Sequence, residues 1–358
     1  MNNLKGMYIH IPFCLKKCDY CDFYSLKYSP EIADLYTKAV IQRLNCINDA
    51  VDTVYFGGGT PSVMGYERIV KILENINYTN DAEITVECNP NTATKEFFDN
   101  ISKNGVNRVS IGLQSANNDE LSFLTRTHSC NDVMTAVTNA KLAGIDNISL
   151  DIMIGLKNQT ISSLKNTIDF CISLDVKHIS AYMLKIEPNT PFDRLDKSIL
   201  PTDDQTADLY EFATDYLEKN GYIQYEISNY SKVGFESKHN LKYWNCDEYY
   251  GIGPAAHSFI DKKRYYYEKD INSFINGAEP IYDCDFEGFF EYAMLRLRLK
   301  EGLIFKELEN KGLFLPNGFL DKCSQLAKHG YMIIDDTHVA ITKKGFSVQN
   351  AILNKILN

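Results

Sequence analysis

Six short runs rich in β-branched and aromatic residues, Met7 to Ile11, Thr53 to Phe56, Ile84 to Glu87, Arg108 to Leu113, Ile148 to Ile154 and His178 to Leu184, alternate with helix-like stretches. Those stretches are Pro30 to Cys46, Gly65 to Asn75, Thr94 to Asn104, Asn131 to Ala143 and Ser162 to Leu174, and several stop at or just before a Gly or Asn. Strands separated by helices pair in parallel, because a parallel connection needs a crossover that a hairpin cannot supply. Apolar runs such as Val54-Tyr55-Phe56 and Ile152-Met153-Ile154 suit a sheet covered by helices on one face. A closed barrel of this kind needs eight such units. Six predict an α/β fold with a partial, TIM-like (β/α)6 barrel.

The chain has 358 residues, more than the ~250–300 at which single cores stop growing, so a smaller second unit is expected. The texture changes near Gly288. Phe289 to Leu299, Leu303 to Asn310 and Phe319 to Lys328, followed by Tyr331 to Asp335 and Val339 to Thr342, predict a small winged-helix-like unit over 288–358. Residues 1–235 then form the barrel core and 236–287 a connecting region. A net charge of −10 argues against general nucleic-acid binding, which needs clustered Lys and Arg. No run is long enough for a membrane span and the N-terminus lacks a signal-peptide core. With ten scattered cysteines, these features point to reduced thiols and the cytoplasm.

Chemistry in parallel sheets collects at the carboxyl ends of the strands. There the first strand runs into Cys14, Cys18 and Cys21, spaced C-x3-C-x2-C, and the second into Gly57-Gly58-Gly59-Thr60-Pro61. The third ends at Glu87, the fourth reaches Gln114, and the fifth carries Asp151. An iron-sulfur cubane is normally held by four thiolates, so a loop with three leaves one iron open to a small molecule. A structural zinc site would need a fourth ligand, usually from a second cysteine pair, and the other seven cysteines are isolated singles. Glu87, Gln114, Arg126 and Asp151 taken singly read as surface or capping residues; together at strand ends they read as partners of a polar cofactor.

The stretch Y-I-H-I-P-F-C-L-K-K-C-D-Y-C, with Y-F-G-G-G-T-P-S, T-V-E-C-N-P, R-V-S-I-G-L-Q-S, L-T-R-T-H, D-I-M-I-G-L and Y-E-I-S-N-Y, resembles the radical S-adenosylmethionine (SAM) superfamily. More narrowly it is similar to the oxygen-independent coproporphyrinogen III oxidase-like family, over nearly the whole chain. The resemblance implies a 4Fe-4S cluster on Cys14, Cys18 and Cys21, with SAM chelating the open iron and reductively cleaved to methionine and a 5'-deoxyadenosyl radical. It implies that Tyr8 packs beside the cluster, that Gly58, Gly59 and Thr60 hold the methionyl amino end near Glu87, and that Arg126 pairs with the methionyl carboxylate. Gln114 and Asp151 would receive the ribose hydroxyls.

Within that family the oxidases carry a further cysteine two residues after the third ligand, where this chain has Phe23, and a long N-terminal extension, whereas here the cysteine loop comes almost at once. His239-Asn240-Leu241-Lys242-Tyr243-Trp244 matches the H-N-x-x-Y-W motif of the heme-chaperone branch. The resemblance thus implies heme as third cofactor, His239 as its ligand with His257 as rival, transfer to heme-acceptor proteins, a reductant such as flavodoxin or ferredoxin, and a homodimer. The alternatives are propionate decarboxylation as in the oxidases, another porphyrin-modifying radical enzyme, or a structural metal module; His239 as an internal hydrogen-bonding residue is the bland reading of the motif. His10 reads as structural, and His128 as either structural or cofactor-facing. The family usually has glycine at the position of Ala255 and proline at that of Lys157.

Overall fold

The computed structural model describes residues 4–357. At its centre six parallel strands lie in sequence order: β1 (Lys5–Ile11), β2 (Val51–Gly58), β3 (Tyr78–Cys88), β4 (Arg108–Gln114), β5 (Asn147–Ile154) and β6 (His178–Met183). The crossover helices are α1 (Pro30–Leu44), α2 (Tyr66–Leu73), α3 (Lys95–Lys103), α4 (Cys130–Leu142) and α5 (Ile161–Ser173). Local chemistry marks their ends: Ser129 and Asp132 form a reciprocal capping box at the start of α4, and Gly105 and Gly144 turn left-handed after α3 and α4.

Each strand alternates with period two, and the alternation decides what each face can do. One set, including Met7, Ile9, Val54, Phe56, Ile84, Val86, Val109, Ile111, Leu150, Ile152 and Ile179, is apolar and buried with residues of the helices in one core. The other set faces the lumen and is polar: Tyr8 and His10, Thr53 and Tyr55, Glu83 and Glu87, Arg108, Ser110 and Gln114, Ser149 and Asp151, His178 and Ser180. The same alternation therefore makes the core and lines the site.

After α6 (Asp203–Lys219), the short β7 (Ile223–Gln224) and β8 (Asn229–Ser231) close one edge, β8 pairing antiparallel with β6. The sequence reading counts six parallel strands; the structure has a seventh. Following α7 (Lys238–Trp244), β9 (Tyr249–Ile252) pairs parallel with β1 on the side away from β2. Beyond it β10 (His257–Ile260), β11 (Lys263–Tyr266) and β12 (Ile281–Asp285) continue antiparallel, giving 12 strands in one open sheet among the described residues.

The C-terminal unit runs α8 (Phe289–Arg296), β13 (Leu303–Ile304), α9 (Phe305–Asn310), α10 (Phe319–Ala327), β14 (Met332–Ile334) and β15 (His338–Ile341), with β15 central in its three-stranded sheet. This helix and strand order is that of a winged helix. Among the described residues no helix is long and apolar enough to cross a membrane.

Candidate cofactor site

The loop leaving β1 carries the three cysteines, and backbone bonds fix it to the glycine turn after β2. Gly59 N–H donates to the Ile11 carbonyl at 2.8 Å and Thr60 N–H to the Phe13 carbonyl at 2.7 Å. The approach is so close that a Cβ on Gly59 would stand 2.6 Å from the Phe13 carbonyl oxygen, which is why this position takes glycine. Thr60 Oγ1 lies 3.5 Å from Cys14 Sγ. On the other flank, Asp19 N–H donates to Thr125 Oγ1 at 3.2 Å, tying the cysteine loop to the turn that bears Arg126.

Cys14, Cys18 and Cys21 are half-buried free thiols around one cavity of about 120 Å³. Burial raises the thiols of Cys18 and Cys21 above the ordinary range, with Arg126 pulling Cys18 the other way. Among the described residues no three Cys, His, Asp or Glu side chains converge tightly enough to chelate a single metal ion. All three cysteines share the lining of the first cavity.

A second cavity, of about 340 Å³, adjoins the first and shares Tyr20, Cys21, Gly59, Thr60, Asn89 and Arg126 with it. It contains Gly58, Gly59, Thr60, Glu87, Gln114, Arg126 and Asp151, so seven of the residues expected from sequence to meet SAM line one space. Glu87 is held from below, accepting from Tyr55 OH at 2.7 Å and from Gly58 N–H at 3.1 Å. Burial, and secondarily the nearby Asp151 charge, push its carboxyl up to about 7. Asp151 accepts from Ser110 Oγ at 3.0 Å and is likewise raised by burial. Gln114 ends β4 in the left-handed region at φ 66°. Arg126 donates to Tyr20 OH at 2.9 Å, yet its buried Nε has no partner. A buried guanidinium with an unused donor, facing a cavity, is suited to a carboxylate. The donor set thus fits an amino-acid zwitterion with an attached ribose.

Tyr8 and His239 line neither cavity. Tyr8 lies below, its hydroxyl 3.0 Å from His10 Nδ1, while His10 Nε2 meets the Tyr24 carbonyl at 2.9 Å. His10 therefore supports the site structurally. His128 does the same for the end of β4, with Nε2 2.9 Å from the Leu113 carbonyl. His239 is fully buried near the amino ends of the strands. Its Nδ1 is 2.8 Å from Thr53 Oγ1, its Nε2 is 2.8 Å from Tyr243 OH, and its backbone N–H donates to Glu83 at 3.0 Å. The ring also stacks on Tyr55 at 5.2 Å. Burial, with the charges of Lys242 and Arg108, lowers its proton affinity to about 3. Trp244 lies beneath Arg298, whose guanidinium is 5.6 Å from the ring centre. The H-N-x-x-Y-W helix is thus packed into the barrel floor, opposite the cysteine end.

Three residues that complete the site have no site role in the sequence reading: Tyr20, Tyr55 and Ser110. Tyr55 and Ser110 are two residues from Gly57 and Gly112 on the lumen face, and extending the i, i+2 pattern backward from the strand ends would find them. Ala255, where a glycine is expected, adopts φ 68°, the left-handed conformation that explains the family's preference.

With this geometry established, comparison with known proteins is direct. Residues 8–171 match the radical SAM superfamily. The chain is 35% identical to "Heme chaperone HemW" of Buchnera aphidicola subsp. Schizaphis graminum, covering 99% of this chain and 98% of that protein. It is 34% identical to the protein of the same name in Bacillus subtilis, covering 99% of each. The solved coproporphyrinogen III oxidase HemN of Escherichia coli has the same fold, with a TM-score of 0.86 at 21% identity over 99% of this chain and 90% of that one. The chain belongs to the HemW family of the radical SAM superfamily.

Proposed function

We propose that this protein is a heme chaperone that binds heme and passes it to acceptor proteins. Cys14, Cys18 and Cys21 would carry a 4Fe-4S cluster beside an exchangeable SAM. What supports the reading is the full-length relation to proteins named heme chaperones at 33–35% identity, against 21% for the oxidase of the same fold. When bound, the cluster and SAM supply a one-electron redox centre next to a polar ligand. The chain's own residues orient that ligand: Arg126 meets the carboxylate, Glu87 and the Gly58–Thr60 turn the amino group, and Gln114 and Asp151 the ribose. Phe23, exposed and lining the second cavity, places an apolar ring where the oxidases have a cysteine. We include in the proposal the division at residues 235 and 287, a cytoplasmic location, a flavodoxin- or ferredoxin-type reductant, a homodimer, and gating of transfer or dimerisation by the cluster and SAM.

The test is anaerobic. Cluster-reconstituted protein loaded with heme should restore the spectrum and activity of an apo-hemoprotein acceptor, and with coproporphyrinogen III, SAM and reductant it should give no protoporphyrinogen. Decarboxylated product without heme delivery would instead establish the oxidase reading.

A further inference from the structure

Two arginines among the described residues are almost fully buried, and they are held in opposite ways. Arg296 donates to the Gly302 carbonyl at 3.1 Å and pairs with Glu301 at 3.0 Å and Glu307 at 3.2 Å. Arg108, 1% exposed, pairs with no carboxylate among the described residues, and its Nε and Nη1 are buried without a hydrogen bond. An unpaired buried charge is costly, which points to a use for its field.

Strand register shows where that field acts. Arg108 opens β4 and the stretch R-V-S-I-G-L-Q-S, level with Thr85 of β3 and Asn147 of β5. One step up the lumen face, Ser110 is level with Glu87 and donates to Asp151 at 3.0 Å. Arg108 therefore lies beneath the second cavity, on the strand between the two that carry Glu87 and Asp151. Its charge acts on both carboxyls, against the rise that burial causes.

The other titratable groups of the lumen do not take over this task. Burial keeps His10 of β1, His178 of β6 and His239 of α7 neutral. It also holds the hydroxyls of Tyr8, Tyr55, Tyr182, Tyr225 and Tyr243 protonated, and the thiols of Cys88 and Cys171 with them. Glu83 faces Arg108 from β3, but its carboxylate is engaged by the backbone N–H groups of Lys238 and His239. Arg126 also acts on Asp151, yet it is bonded to Tyr20 and placed for the ligand carboxylate. Arg108 is left as the fixed cation of the lumen, and Glu87 as the group that changes charge near neutral pH.

We propose that Arg108 is a positioning residue of the SAM site, an unpaired guanidinium beneath the pocket that favours the ionised, hydrogen-bond-accepting forms of Glu87 and Asp151. This rests on the SAM reading above. The experiment is an anaerobic calorimetric titration of SAM into cluster-loaded wild type, Arg108→Lys, Arg108→Met and Arg108→Gln from pH 6.5 to pH 8.5, with urea unfolding alongside. Met replaces the guanidinium by an apolar chain and Gln by a neutral polar one, so at least one neutral variant should fold. Loss of the charge should move the Glu87 ionisation up by about one pH unit, making SAM binding roughly eightfold weaker than wild type at pH 6.5 and within ~1.5-fold at pH 8.5. Arg108→Lys, which keeps a charge, should follow the wild-type profile. The ligand's own amino group titrates alike in every protein and cancels in the ratio. A loss by one factor at every pH, wild-type affinity throughout, or failure of both neutral variants to fold would overturn the assignment alone. No SAM binding by wild type would overturn the SAM site and the assignment with it.

Discussion

The two ends of the barrel carry the two most distinctive motifs of the chain, and they are built in opposite ways. At the carboxyl end the cysteines and the Glu87–Arg126 ring surround open space, with a buried guanidinium nitrogen lacking a partner and a carboxyl pushed up to about 7. At the amino end His239 is closed in, both ring nitrogens bonded and its face stacked on Tyr55. Polar groups held in unsatisfied or desolvated states cost stability and persist where a ligand compensates them. Fully satisfied buried networks fix a fold. The difference teaches that two motifs of one family can stand in opposite states of partner satisfaction within one fold, one around open space and the other closed in.

The comparison can be broken most completely at the cysteines. Cys14→Ala, Cys18→Ala or Cys21→Ala should abolish iron and sulfide retention after anaerobic reconstitution, while far-UV circular dichroism and the unfolding midpoint of the apo-protein stay unchanged; retained cluster in any single variant would show a different ligand set. The opposite end should behave in reverse. His239→Ala orphans Thr53, Tyr243 and the stacked Tyr55 ring, and should cost roughly 3 kcal/mol of stability in urea unfolding, with normal cluster content in the folded fraction. A cost within ±0.5 kcal/mol, as at ordinary surface sites, would remove the keystone role.

A smaller effect sharpens the contrast through pH. Glu87 has an ordinary value of 4.5 and a folded value of about 7. Between these the native state holds a proton that the unfolded chain has released, so its contribution falls as pH rises through that window, by about 3 kcal/mol in all. Buried His10 and His239, depressed to about 4 and about 3, act oppositely, losing stability as pH falls below 6.5. Glu87→Gln should therefore raise the stability at pH 8 relative to that at pH 5, compared with wild type, because it removes the term that falls with pH and leaves the opposing histidine contribution intact. An unaltered difference would mean Glu87 is ionised at its ordinary value.

How much of this was legible in sequence follows from what each pattern encodes. The six strands and five crossover helices overlap their expected positions, with β3 starting at Tyr78 and not at the expected Ile84, because period two and period 3.6 are written directly in residue order. The seventh parallel strand, Tyr-Tyr-Gly-Ile at 249–252, is too short and glycine-interrupted to announce itself, and only its pairing with β1 makes it a strand. The cysteines, Glu87, Gln114 and Asp151 stood out because strand ends gather chemistry, whereas Arg126 and the assignment of these residues to SAM came from the family resemblance. The surroundings of His239 were not, since residue type carries no record of partners: Thr53, 186 positions away, is what occupies its Nδ1. Conversely, nothing in G-I-G-P-A-A-H-S tells that His257 is exposed.

One pair of variants tests the division between the ends most directly. SAM would be titrated calorimetrically, without oxygen, into cluster-loaded wild type, Arg126→Gln and His239→Ala, with urea unfolding of each. Arg126→Gln should lose SAM affinity by ~10-fold or more at an unchanged midpoint, and His239→Ala should lose midpoint while its folded fraction binds SAM as wild type does. Wild-type SAM affinity in Arg126→Gln together with an unchanged midpoint in His239→Ala would contradict the assignment of ligand site to one end and keystone to the other.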